Sequence, residues 1–420
     1  MKSYKININI PLLALIGFFA TWGEGMQKIL PKASLVYPAL MAVYMLLNGN
    51  SFLKRISKKQ PVVPKEFKYL FVFIFIHSLI FFILNYQSIS FSTVADVRVN
   101  EEGFLYTVEG KGITMCRYFL FMFFCVYLTA SFANERLLKI FSTSYILGFI
   151  CTIFGGAFHV YGGLIRISGG LDDPNVMAFD ALVALFFSFY LFSRYNSKIL
   201  NIFILFSVFV SLVAILMSFS RGAYLALIVW LLFFLYKMGV KKYFWKVIFS
   251  LSILTSIAII SVKRMNLDIE LLLNRFSLET MSESKGANRG MIWEAYLSNM
   301  DRYFVTGMGI TNTTKAIKGN RQGVSENYET HNIYITYFVE FGIFGLILFV
   351  LYWRGVVNVF FRIDRNDSYY YLVSLGILFM LVNCFLSLDK GRTYWIVLAC
   401  TNMVWSSYKS FMLNKGMKLK

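Results

Sequence analysis

The amino-acid sequence predicts an all-α polytopic membrane protein with about 12 transmembrane helices and one large outer loop containing short helices. Three observations predict it. Hydrophobic residues fill 58% of the 420 positions and charged residues only 15%, against roughly one half and one quarter in soluble domains. Phe (44) and Tyr (26) are abundant while Pro is limited to six, which suits long helices with lipid-facing and interfacial surface. The apolar residues also gather into runs able to cross about 30 Å of hydrocarbon.

In chain order these runs place helices near 8–22, 34–48, 69–84, 114–133, 140–160, 177–193, 199–218, 222–236, 247–262, 332–353, 371–388 and 393–408. The first two are short and also fit a re-entrant pair. Lys2 and Lys5 precede the first run without a small-residue cleavage pattern before Trp22, so a retained first helix is expected rather than a removed signal peptide. Residues 1–262 therefore carry nine helices with short loops, 263–331 form the large loop, and 332–420 carry the last three helices and a tail. Within the loop, Asp268 to Phe276 and Arg289 to Met300 read as short amphipathic helices, the second with Ile292, Ala295 and Tyr296 near one face. No internal repeat is visible, which disfavours transporters built from inverted halves.

The formal charge of +19 points to orientation and not to nucleic acid, because the 41 Lys and Arg fall mainly in short loops between apolar runs. With both termini in the cytoplasm, inner segments hold 23 of them and short outer loops 8. Such a ratio sets the orientation, and long loops translocate regardless of charge. Cys116, Cys125, Cys151, Cys384 and Cys400 lie in or beside apolar runs without zinc-ligand spacing, so they read as packing residues and no metal or other cofactor is expected.

Four outer features carry chemistry: Arg166 in RISGGLDDPN, Arg221 in SFSRGAYL, Arg289 in ANRGMIWEAY and His331 in ETHNIYITYF. A charge near hydrocarbon is costly and is kept for function, and the planar guanidinium donates bidentate hydrogen bonds to phosphate. Three outer arginines therefore suggest an anionic ligand, most naturally a diphosphate. Each has a plainer alternative. Arg221 reads also as a topogenic or headgroup-snorkelling residue, Arg166 as a loop charge paired with Asp172 or Asp173, and Arg289 as a loop-helix salt bridge. His331 opens a helix that Thr330 or Asn332 can cap, where the helix dipole opposes imidazolium formation. A neutral imidazole is a competent general base; otherwise His331 is an interfacial hydrogen-bonding residue. Gly342 and Gly345 would let this helix pack tightly on a neighbour.

These motifs resemble those of the O-antigen ligases and related polysaccharide polymerases of bacterial envelopes. The resemblance rests on His331-Asn332, nine residues, then Gly342-x-x-Gly345, and on Arg221 with Leu225 four positions on, beside a large outer loop. It implies a GT-C-like fold with a periplasmic loop, in the bacterial inner membrane. It implies a metal-independent, inverting glycosyltransferase that moves a glycan from undecaprenyl diphosphate to an acceptor sugar. Arg166, Arg221 and Arg289 fall where that family binds diphosphate, and His331 falls on its functional histidine. The expected acceptor is lipid A-core for a ligase, to which the His-Asn motif leans, or a nascent polysaccharide for a polymerase, which the DDPN segment also fits. Asp172, Asp173, Asp389 and Arg392 are outer-facing residues without an assigned role. A lipid-linked oligosaccharide transporter is the competing class; Arg117, Asp180, Glu340 and His77 would be its membrane-depth ionisable groups, but they do not align into a pathway.

Overall fold

The computed structural model of the chain describes residues 8–22, 33–57, 62–85, 96–99, 105–108, 111–155, 157–161, 164–169, 173–238, 289–320, 322, 324–325, 328–386 and 391–414, with isolated positions at 245, 249 and 252. The apolar runs form helices α1 (Asn9–Phe19), α2 (Ala33–Ser57), α3 (Lys65–Asn85), α4 (Lys111–Phe132), α5 (Glu135–Phe154), α6 (Pro174–Arg194), α7 (Lys198–Ser218) and α8 (Arg221–Met238). After the loop helix α9 (Arg289–Leu297) come α10 (Ile333–Arg362), α11 (Tyr369–Val382) and α12 (Arg392–Asn414). Six of these, α3, α4, α5, α6, α7 and α10, are long and apolar enough to cross a membrane, and α1, α8 and α11 hold shorter apolar stretches. Their composition makes the chain a multi-pass membrane protein. The run at 247–262, the amphipathic stretch 268–276, Asp172 and Asp389 lie outside the described residues.

The core follows from which helices are wrapped by others. In α6, nearly every residue from Met177 to Leu191 is buried, so it forms the centre of the bundle, against α5, α7 and α11. At the periphery, α3 exposes Val72, Ile76, Leu79, Ile80 and Ile83, a stripe suited to lipid. Asn134 caps α5 by accepting from the backbone N–H of Arg136 and Leu137, and Asp173 caps α6 ahead of Pro174.

Three features depart from the sequence expectation. The helix expected over 140–160 ends at Phe154, and a hairpin of β3 (Ala157–Tyr161) and β4 (Leu164–Gly169) follows, with His159 opposite Arg166. A second hairpin, β1 (Asp96–Val99) with β2 (Leu105–Val108), lies between α3 and α4. The bundle is therefore helical with two small hairpins, not purely helical.

The third departure is α10, which the sequence reads as one continuous span. Gly342 takes φ 68° and ψ −170° inside it. The Tyr337 ring stacks on Phe349 with centroids 4.0 Å apart, and Tyr334 meets the same ring at 5.7 Å. In a straight helix residues 337 and 349 would stand about 18 Å apart along the axis. The chain thus folds back at Gly342. Its second arm, 343–362, is the crossing one, and at about 1.5 Å per residue it matches the hydrocarbon thickness. The first arm, 333–341, runs back beside it and sets its N-terminus against the end of α11, where the Ile333 N–H donates to the Asn383 carbonyl at 3.0 Å.

Candidate functional site

The sequence-derived residues gather at one end of the bundle. Arg166 extends from β4 and is 4% exposed. Its Nε donates to the Ser218 carbonyl at the end of α7 at 2.7 Å, and its Nη2 to Asn175 Oδ1 at 3.3 Å. Asn175 in turn donates to Asp173 Oδ1 from its backbone N–H (2.7 Å) and its side-chain amide (2.9 Å). The side chain is buried and not the solvated loop charge of the plainer alternative; of the two acids in that alternative, Asp173 is reached through Asn175 and Asp172 lies outside the described residues.

A tight turn places Arg221. Phe219 adopts a left-handed conformation at φ 50°, and Ser218 Oγ accepts from the Ser220 N–H at 3.1 Å. Arg221 becomes the first residue of α8, three positions after the carbonyl that Arg166 holds. It is partly exposed, and the positive end of α8 adds to its own charge. A Cβ built on the adjoining Gly222 would stand 3.6 Å from the Phe385 Cβ in the segment after α11.

His331 stands at the head of the first arm of α10, with φ 46° in the left-handed region. Asn332, not Thr330, is the cap: its Oδ1 accepts from the N–H groups of Tyr334 and Ile335, and its Nδ2 donates to the Cys384 carbonyl at 3.1 Å. Thr330 fixes the strand before it. Its hydroxyl accepts from the Asn332 N–H and pairs with Thr336 Oγ1. Helix α9 carries Arg289, Trp293 and Tyr296 on adjacent turns of one side. Trp293 Nε1 donates to the Thr330 carbonyl at 2.8 Å, and Tyr296 donates its hydroxyl proton to the Tyr328 carbonyl at 2.9 Å. As expected, Ile292, Ala295 and Tyr296 are buried.

Burial, and then the nearby Arg289 guanidinium, hold the His331 imidazole below its usual pKa; Glu329 and Asp173 oppose the shift. The helix dipole invoked from sequence is not needed for the direction. His331, Arg289 and Asp173 therefore share one electrostatic neighbourhood, and Asp173 connects it through Asn175 to Arg166. The position of Gly222 opposite Phe385, which follows the Cys384 carbonyl that Asn332 holds, brings Arg221 to the same rim.

Three of the four ionisable groups that would serve a transport pathway, Glu340, His77 and Asp180, are tied to neighbouring elements. Glu340 Oε1 accepts from the Thr311 N–H and the Thr313 hydroxyl, His77 Nε2 lies 2.6 Å from the Thr306 carbonyl, and Asp180 accepts from Thr393 and Tyr145. Arg392, at the start of α12, donates to the carbonyls of Phe19 and Trp22 and lies over the Tyr37 ring. Among the described residues, no three His, Cys, Asp or Glu side chains cluster as metal ligands would.

The sequence does not single out Asn175 or Trp293, which hold the candidate residues in place, and Thr330, offered there as a cap, instead braces the turn before Asn332. Only Asn175 left a signal, as the residue after an Asp-Pro pair that reads as a helix start.

A multi-pass bundle with arginines and a histidine assembled at one end defines a membrane protein with a polar, cationic rim. Residues 206–350 match the model of the family described as O-antigen ligase. The match agrees, over that stretch, with the family resemblance that the Arg221 and His331 motifs carry. No curated protein matches the chain.

Proposed function

We propose that the protein is a membrane glycosyltransferase that takes a glycan from undecaprenyl diphosphate and joins it to an acceptor sugar on the periplasmic side of the bacterial inner membrane, both termini being cytoplasmic. One observation carries the reading beyond the family: among the described residues, the partly exposed Arg221 guanidinium has no hydrogen-bond or ion-pair partner, while Arg166 is anchored three residues away. An unengaged guanidinium at the positive end of a helix suits an anion. In this reading Arg166, Arg221 and Arg289 bind the diphosphate and stabilise it as negative charge develops on leaving. His331, kept neutral, takes the proton of the acceptor hydroxyl as that oxygen attacks the anomeric carbon, with inversion and without a metal.

The preferred acceptor is lipid A-core, which makes the protein an O-antigen ligase; a carrier-linked repeat or growing chain would make it a polymerase. Deletion of the gene followed by gel analysis of surface polysaccharide separates them. Loss of all lipid A-linked O-chain, with polymer accumulating on the carrier, supports the ligase. A single repeat left on the core supports the polymerase, and an unchanged pattern overturns both.

A further inference from the structure

The fold-back at Gly342 leaves backbone groups of two helix arms that need partners near lipid, where an unsatisfied N–H or C=O is costly. The segment 304–309 supplies them. The Phe304 carbonyl accepts from the Ile343 N–H at 2.8 Å, opening the crossing arm. The N–H groups of Met308 and Gly309 donate to the Val339 and Glu340 carbonyls at 2.7 and 3.0 Å, closing the first arm. Gly307 and Gly309 take φ of 70° and 78°, and a side chain at Gly307 would meet the Glu340 carbonyl oxygen at 2.3 Å. This segment is locked to the end of a membrane-crossing helix.

That placement fixes the level of its side chains. The crossing arm exposes Phe344 (55%), Ile347 (47%) and Val350 (48%), the face that lipid must cover. Joined to it, Phe304 (44%) and Val305 (59%) are exposed on the capping segment, and Met300 (46%) is exposed on the turn just before it. The two apolar surfaces join through the hydrogen bond between residues 304 and 343. Beside the ridge the charges are three cations and one acid: exposed Arg302 donates to the Ala316 and Lys318 carbonyls, Lys315 and Lys318 are exposed as well, and so is Asp301. Apolar side chains flanked by Lys and Arg are the composition of segments lying in a membrane interface.

We propose that residues 300–305 form a lipid-inserted foot of the outer loop, with Met300, Phe304 and Val305 among the acyl chains of the outer leaflet and Arg302 at its phosphates. The foot anchors the lobe that carries Arg289 and Trp293 without itself touching the candidate site, so it stands apart from the proposed reaction. It extends the lipid-covered surface beyond the helices to a segment whose sequence, MDRYFV, is not an apolar run.

Photo-crosslinking of the full-length protein in nanodiscs of phosphatidylcholine and phosphatidylglycerol tests this. Benzoylphenylalanine is placed in turn at Val305 and at Met300, with Ile347 on the crossing arm as lipid-facing reference and exposed Glu294 of α9 as aqueous reference. Phospholipid adducts are then counted by mass spectrometry. Yields at 305 or 300 within about two-fold of that at 347, and about ten-fold above that at 294, are expected for interfacial insertion. Yields at both positions no higher than at 294 would overturn the proposal. The two positions are separate variants, so failure of one to fold leaves the other to decide.

Discussion

Arg194 and Arg166 occupy opposite ends of the same central helix region, and their surroundings could hardly differ more. Arg194, in the last turn of α6, pairs with Glu135 while both side chains are 45% exposed. Nearby, Lys139 lies over the Tyr195 ring. Solvated pairs of this kind contribute about 0–1 kcal/mol, and their main effect is on orientation. Arg166 is buried, held by a backbone carbonyl and by an amide that bridges to Asp173. Removing a charge from water costs several kcal/mol before its partners are counted. Charge at one end of the bundle thus stays solvated at little cost, while at the other it is buried among polar partners, the setting in which the proposed reading places an anionic ligand.

The contrast is broken most severely at His331 and Arg221. In protein that inserts at normal levels, His331→Ala and Arg221→Ala are each expected to lower transfer by about 10²-fold or more, read by complementation of surface polysaccharide. Full complementation by either removes that residue's assigned role. The fold behind the site is tested by Gly342→Ala. An added Cβ would approach the Val305 carbonyl oxygen to 2.3 Å at φ 68°, so a loss of about 3 kcal/mol or more is expected, seen as a lower melting temperature and lower yield of folded protein. Gly49→Ala, which meets nothing within 4 Å on α2, is the matched control and should leave melting unchanged or slightly raised.

Asn175 sharpens the comparison, because its amide both accepts from Arg166 and donates to Asp173. Asn175→Asp keeps the acceptor but sets two carboxylates together, so it should reduce transfer by about ten-fold, as loss of one or two hydrogen bonds to charged groups implies. Asn175→Ala should do about the same, with folded yield preserved. A smaller effect concerns pH. Because the folded site disfavours the charged imidazole, His331 stays neutral at pH 7, and activity falls as pH drops through its lowered pKa. Stability is also lost in that direction, since below about 6.5 the unfolded chain binds the proton more readily. Arg289→Gln removes one of the causes that lower the pKa, so the acid limb of the residual activity should move to higher pH. An unmoved limb would separate Arg289 from His331.

How far the sequence shows this arrangement depends on the interaction involved. Helices α4, α6 and α7 are legible because lipid demands long apolar runs. Arg221 and His331 are legible because ionisable residues are rare at the ends of long apolar runs. The reversal at Gly342 is hidden because both arms of α10 are apolar and glycine is common in membrane helices, so composition reads one span. The β3–β4 hairpin is hidden for a similar reason: AFHVY continues the apolar run of α5, and only tertiary packing turns it into a strand. Trp293 acts through a contact with Thr330, 37 residues on, which local patterns do not report; Asn175 acts over nine residues, across the end of a hairpin that the sequence does not show.

The central claim is that the cationic rim, and not the exposed charges at the opposite end, works on a lipid-linked diphosphate. Binding of undecaprenyl diphosphate to the purified full chain in nanodiscs measures this directly, with Arg221→Ala compared against Arg194→Ala. The account predicts that Arg221→Ala weakens binding by about ten-fold or more, the size of a lost charge-assisted contact, while Arg194→Ala leaves it unchanged. Equal affinity for the parent and the Arg221→Ala protein, with both correctly folded, would contradict it.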